Sequence, residues 1–287
     1  MPGWNAMNRN RRLFSVVIAA CFWLVSSSGH AALTLHINYS GDAQLESAFQ
    51  TAATTWEGWL TGYQDGLISV ASPDSSAMAG AVLSDVYVNA VTAPNDGLGG
   101  ILGSAGPTQV ARDTSNFWLA TDGQMTFDED DLLVLSSSEL DSLILHEMAH
   151  ALGFGTLWGL NNVVSGSELT GLEATAAWQS EFGQTGTPDI EMDGGPGTAG
   201  GHWNENLDGS GLTGITDSLG RDMRDELMTG WLNPNSFISE LTLASFRDIG
   251  FTTANATAVP EPGTGGVLSA GLVAAMGWRR RRSQAMK

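Results

Sequence analysis

Ser138-Glu139-Leu140-Asp141-Ser142-Leu143-Ile144-Leu145-His146-Glu147-Met148-Ala149-His150-Ala151-Leu152-Gly153 is the stretch on which the fold turns. Ser138 to Asp141 has the form of a capping box, so a helix is expected over about 139–152. Gly153 ends it, because glycine tolerates the backbone conformation that closes a helix. Histidines four apart on a helix share a face, so His146 and His150 can reach one ion at ~2.0–2.1 Å. Glu147, beside the first of them, can then reach a water on that ion. Neutral imidazoles without thiolates make Zn2+ the expected ion. Two ligands do not hold a catalytic zinc. A third is required, and a fourth place stays open for water.

The chain has five histidines in which to look for that third ligand. His30 sits at the edge of the leader described below. His36 lies on an alternating run and reads as an edge or packed residue. That leaves His202, in Gly200-Gly201-His202-Trp203, 52 residues beyond His150. The competitors are carboxylates about twenty residues after the second histidine, Glu168 and Glu173. Gly153 favours His202, because it lets the chain turn sharply under the ion instead of running on to a second ligand helix.

Working outward, Leu33-Thr34-Leu35-His36-Ile37-Asn38-Tyr39 alternates apolar and polar residues and predicts a strand. Between Asp42 and Leu60, Leu45, Ala48, Phe49, Ala52, Ala53, Trp56 and Leu60 recur at helical spacing, with Asp42 as the N-cap. Further strands are expected near Leu67–Ala71, Ala81–Ala90 and Gly123–Phe127. Residues 154–235 are rich in Gly, Asn, Ser and Thr with little periodicity, and so long an irregular region is functional or held by a bound group. A last helix fits Glu240–Ile249, capped by Ser239 and ended by Gly250. The fold class is therefore α+β: a mixed sheet with two helices, then a loop-rich second half. Asp128-Glu129-Asp130-Asp131 offers oxygens of the kind calcium takes, but reads first as a solvated turn before the helix. Asp189, Glu191 and Asp193 begin like a calcium loop, yet its twelfth position is Gly200, so they read as loop, with Glu191 bordering the cleft.

The chain has 287 residues, 42% apolar and 15% charged, room for one large domain or two small ones with a real core. Its net charge is −19, but most basic residues sit at the two ends. Between 32 and 258 only Arg112, Arg221, Arg224 and Arg247 face thirty acidic residues, a net −26. That excludes nucleic acid and anionic membrane surface as partners of the body. The one cysteine, Cys21, leaves no intrachain disulfide and no thiolate site.

Both ends read as addresses, not as fold. Arg9 to Arg12, the apolar run Leu13–Val25 and small residues up to Ala31 predict a secretory signal over 1–31. The rival is a lipoprotein signal, with Ile18-Ala19-Ala20-Cys21 as its processing box. At the other end, Val259-Pro260-Glu261-Pro262-Gly263 precedes an apolar stretch, 264–278, and Arg279 to Arg282. That stretch spans roughly 22 Å as a helix, short of a ~30 Å hydrocarbon core. The order resembles the PEP-CTERM sorting signal, which implies a temporary inner-membrane anchor over 264–278, an exosortase-type processing partner, and a mature product at the cell surface or secreted. The expected organisation is 1–31 leader, 32–258 catalytic body, 259–287 sorting signal.

His146-Glu147-x-x-His150-x-x-Gly153, a long insertion, His202-Trp203 and then Glu226-Leu227-Met228-Thr229-Gly230 resembles the leishmanolysin-like branch of the metzincins. Most metzincins place the third histidine three residues after the glycine, where this chain has Thr156. The leishmanolysin branch delays it by an insertion. The resemblance covers nearly the whole body and implies a metzincin-like fold with Met228 as the methionine of a Met-turn beneath the metal. It implies a zinc endopeptidase acting on protein or peptide substrates, with His146, His150 and His202 on zinc and Glu147 as general base. Unlike leishmanolysin, the chain has no disulfides, no room for a long pro-segment and no switch cysteine. The rival class is a non-catalytic metal-binding surface or matrix protein on the same scaffold. An intact Glu147 favours the enzyme, because pure binding does not require that base.

Overall fold

Alternating burial along the strands builds the sheet that carries everything else. The computed structural model describes residues 31–195, 197–205, 211–233 and 236–254. The leader with Cys21, the Pro-Glu-Pro motif, the stretch 264–278 and the arginine cluster lie outside the described residues. The first half runs β1 (Thr34–Ser40), α1 (Glu46–Trp59), β2 (Leu60–Tyr63), β3 (Ile68–Ala71), β4 (Asp85–Ala93), β5 (Gly103–Asp113) and β6 (Trp118–Asp128). Five of these strands form one mixed sheet in the order β1-β4-β6-β5-β3. β1, β4 and β6 are parallel, while β5 and β3 run antiparallel to their neighbours. Val86, Val88 and Ala90 of β4 turn inward while Tyr87 and Asn89 face water, so the period of two fixes the register.

α1 lays Phe49, Ala52, Ala53 and Trp56 on the inner side, and the Trp56 indole donates to Leu145 O at 3.0 Å. That bond ties α1 to the helix after the sheet. A short α2 (Glu129–Leu132) leads into this helix, α3 (Ser137–Leu152), which packs on α1, β5 and β6. Beyond it come a small hairpin, β7 (Val164–Ser165) and β8 (Glu168–Leu169), then α4 (Leu172–Glu181), α5 (Glu240–Asp248) and β9 (Phe251–Thr253). β9 pairs antiparallel with β2 and so returns the chain to the end of α1. A column of rings fills the space between the halves. Trp56 meets Phe246 at 5.3 Å, Phe154 meets Trp158 at 4.6 Å, and Trp158 meets Trp203 at 5.3 Å between centroids.

The α+β class and the expected strands at 33–39, 67–71, 81–90 and 123–127 are present, as β1, β3, β4 and β6. Four readings need correction. Asp42 does not cap α1. Its carboxylate accepts from Gln44 N at 2.9 Å, and the helix starts later behind Leu45 without a side-chain cap. The capping box of α3 is Ser136 with Glu139, not Ser138 with Asp141. The run Asp128–Asp131 is not a solvated turn, since Asp128 and Asp131 are buried. The region 154–235 is not wholly irregular, because α4 lies within it. α4 starts at Gly171 with no side-chain cap of its own, and Asp248 of α5 accepts from Glu173 N at 3.0 Å and Ala174 N at 2.8 Å. Glu181 of α4 returns the favour, accepting from Glu240 N at 3.1 Å and Leu241 N at 2.9 Å. β5 is an addition to the expected strands. Gly103, Gly106 and Pro107 mask it, and the ladder shifts register beside Pro107, which has no N–H to donate.

The corrected cap has a measurable consequence. Ser136→Ala removes the hydroxyl that accepts from Glu139 N and is expected to cost about 1 kcal/mol in equilibrium urea unfolding. Ser138→Ala is expected to stay within about 0.5 kcal/mol of the parent chain.

Candidate metal centre

α3 is held at both ends, and that sets two of the three imidazoles. Gly153 closes it with φ +118°, its N–H reaching Ala149 O and His150 O. A Cβ there would meet Leu157 Cδ1 at 2.8 Å, so both backbone and space demand glycine. His146 and His150, one turn apart, bring their Nε2 atoms within 3.1 Å. His202 arrives from the glycine-rich segment, with its Nε2 at 3.0 Å from both. The sequence-derived triad is therefore brought together.

The outer nitrogens decide what those inner ones are. His146 Nδ1 bonds Leu227 O at 2.7 Å, His150 Nδ1 bonds Phe154 O at 3.0 Å, and His202 Nδ1 bonds Thr198 O at 2.8 Å. A carbonyl only accepts, so each Nδ1 carries the hydrogen and each neutral ring turns a bare Nε2 lone pair inward. Burial holds all three imidazoles neutral. It takes His146 down to about 3, with the neighbouring His202 adding to the effect. Burial lowers His150 and His202 as well. The close Nε2 contacts are thus not hydrogen bonds but three lone pairs facing one point. The three nitrogens are close enough together that one ion, at a Zn–N distance of ~2.0–2.1 Å, would suit all of them.

Glu147 is buried beside the triad, and that burial raises its carboxyl to about 8. Gly103, the first residue of β5, lies against it. A Cβ at 103 would come within 3.0 Å of Glu147 Cγ and Oε1.

Three contacts deliver His202, of which the one at Gly155 had no sequence signal. Gly155, at φ +71°, packs so closely on Gly201 that a Cβ would fall 2.6 Å from the Gly201 backbone. Glu191 N donates to His202 O at 2.9 Å, which puts Glu191 beside the site through its backbone. Trp203 N donates to Met228 O at 3.0 Å, and its indole donates to Thr242 Oγ1 at 2.8 Å.

The segment Glu226–Thr229 supplies the carbonyl for His146 and buries Met228 completely. It is anchored by Glu226, whose carboxylate accepts from Met228 N, Ser239 N, Ser239 Oγ and Thr242 Oγ1 at 2.6–3.1 Å. Burial pushes that carboxyl up while the four donors hold it down. The rejected candidates lie elsewhere. Glu168 accepts from Thr187 Oγ1, Glu173 pairs with Arg247, and His36 of the edge strand β1 pairs with Asp85 of β4. Thr156 only donates to His150 O at 3.2 Å.

A helix giving two imidazoles and a carboxylate, closed by a third imidazole from a distant loop, is compatible with a metallohydrolase-type centre. Residues 70–261 match the family model for leishmanolysin, and the chain belongs to that family of zinc metalloproteases. The mixed sheet and few helices are compatible with its metzincin fold. Residues 258–282 match the PEP-CTERM protein-sorting motif, which implies export, recognition by an exosortase, and sorting to the surface or outside the cell. No curated protein matches the chain. Among the described residues no helix is long and apolar enough to cross a membrane.

Gly155→Ala should strain a positive-φ residue and push Gly201, with His202, away from α3. The expected outcome is about 1–3 kcal/mol less stability in urea and, in zinc titration of the metal-stripped chain, about 10–100-fold weaker binding.

Proposed function

We propose that the chain is an exported zinc endopeptidase in which His146, His150 and His202 hold Zn2+ and Glu147 is the general base. The observation that carries this reading is the convergence of three deprotonated Nε2 atoms, each fixed by an Nδ1–H bond to a backbone carbonyl. Zn2+ bound there supplies Lewis acidity, polarising a scissile carbonyl and lowering the pKa of a bound water to about 7.

The chain's own groups do the rest. The Glu147 carboxylate has no hydrogen bond to a described residue, so it is free to take a proton from the attacking water and pass it to the leaving amine. A cation alongside favours the ionised form that a base requires, opposing the upward push of burial. β3 covers β5 only at Ala111–Asp113, which leaves the outer edge from Gly103 to Gln109 without a strand neighbour among the described residues. An extended peptide can add to that edge, with Gly103 placing it over Glu147. Gly153 is the turn that ends the ligand helix, and Met228 is the buried base of a Met-turn under the site. Export begins with the leader 1–31, the body 32–258 carries the chemistry, and 259–287 is a sorting signal whose apolar stretch 264–278 anchors the chain transiently.

Base and ligands separate by experiment. Glu147→Gln should keep one zinc per chain and lose at least about 100-fold in casein or gelatin cleavage. His202→Ala should lose the metal, measured by elemental analysis. Undiminished proteolysis in Glu147→Gln would overturn the assignment of the base. A zinc-loaded parent chain without peptidase activity would favour the binding-protein alternative.

A further inference from the structure

A second cluster of ligating groups, separate from the imidazoles, lies at the C-terminal end of β6. We infer that Asp96, Asp128 and Asp131 form a calcium site that fastens the 94–102 loop in front of β5. Their carboxylates each offer an oxygen, and these oxygens lie within 4.8 Å of one another. Carboxylate oxygens that close together can share one Ca2+, which takes its oxygen ligands at 2.3–2.6 Å each.

Asp128 and Asp131 are 1% and 3% exposed, a depth at which carboxylates need compensation. Asp128 has it in part, accepting from Asp96 N at 2.8 Å, Gly97 N at 2.9 Å and Asp130 N at 3.0 Å. Asp131 turns Oδ1 to Gly99 N at 2.7 Å, but its Oδ2 is fully buried with no hydrogen-bond partner. An acceptor in that state, beside two more carboxylates, calls for a cation.

No cation among the described residues supplies it. The four arginines of the described region are engaged elsewhere: Arg112 over Trp118, Arg221 with Asp217, Arg224 with Asp225, and Arg247 with Glu173 and Glu240. The donor set is oxygen alone, which suits a hard ion and not zinc. The loop is also shaped for close wrapping. Gly100, at φ +96°, would place a Cβ 2.5 Å from Asp96 Oδ2. An exported chain works where calcium is plentiful, and extracellular sites function with Kd values of about 10⁻⁴–10⁻³ M.

The same loop runs directly into Gly103, the residue against Glu147, so the ion would stiffen the approach to the first site. The inference rests on the carboxylates and stands whether or not the zinc reading does.

The test uses the full chain, stripped of metal and reloaded with zinc, with calorimetric titration of CaCl2 and thermal unfolding with and without millimolar Ca2+. One calcium per chain and a rise in Tm of about 3–7 °C are expected, with less from Mg2+. Asp131→Asn keeps an acceptor for Gly99 N and should abolish both effects. Should that variant not fold, the exposed Asp96→Asn decides, with an expected loss of at least about tenfold in calcium affinity. No calcium binding by the parent chain, or equal binding in parent and variants, would overturn the proposal.

Discussion

Three N–H to carbonyl bonds govern this molecule. Each imidazole of the triad hands its only hydrogen to the backbone, and each accepting carbonyl belongs to a different segment: Phe154 just past α3, Thr198 in the glycine-rich loop, Leu227 in the turn before α5. The positions of three lone pairs are thereby reduced to the positions of three peptide groups. Turning lone pairs toward one another in a buried place is unfavourable without a cation, so the surrounding fold must hold the arrangement. The ring column from Trp56 to Trp203 does this by filling the space between sheet and loops, leaving the His202 segment little room to withdraw.

A buried polar chain supports the same geometry from below. The Trp203 indole donates to Thr242, Thr242 donates to Glu226, and Glu226 accepts from Met228 N. His202 and the carbonyl that orients His146 are thus referenced to one carboxylate at the start of α5. A buried network of this kind is worth having only when every member is satisfied, and here the hydroxyls of Ser239 and Thr242 leave none of Glu226's acceptors idle.

What the sequence revealed, and what it hid, follows the range of the interactions. His146, Glu147, His150 and Gly153 were readable because four-residue spacing and a helix stop are local. His202 was readable because few histidines competed with it. β1 showed its period of two. Gly155 was silent, because its need for glycine comes from Gly201, far along the chain. Glu226 was visible as part of a motif but not as an anchor, since its donors at Ser239 and Thr242 belong to a helix that had to be placed first. β5 hid behind a proline and two glycines. The burial of Asp128 and Asp131 could not be read from an acidic run, because the loop that covers them starts some thirty residues earlier.

The exchange of carboxylates between α4 and α5 makes those helices mutually dependent. Each takes the terminal charge that steadies its opening turn from the far end of the other, across about sixty to seventy-five residues. Neither is an autonomous folding unit. In a polypeptide emerging from its amino end, the earlier helix lacks its partner until Asp248 has appeared. The opening turn of α4 is therefore completed only when the last residue of α5 is in place.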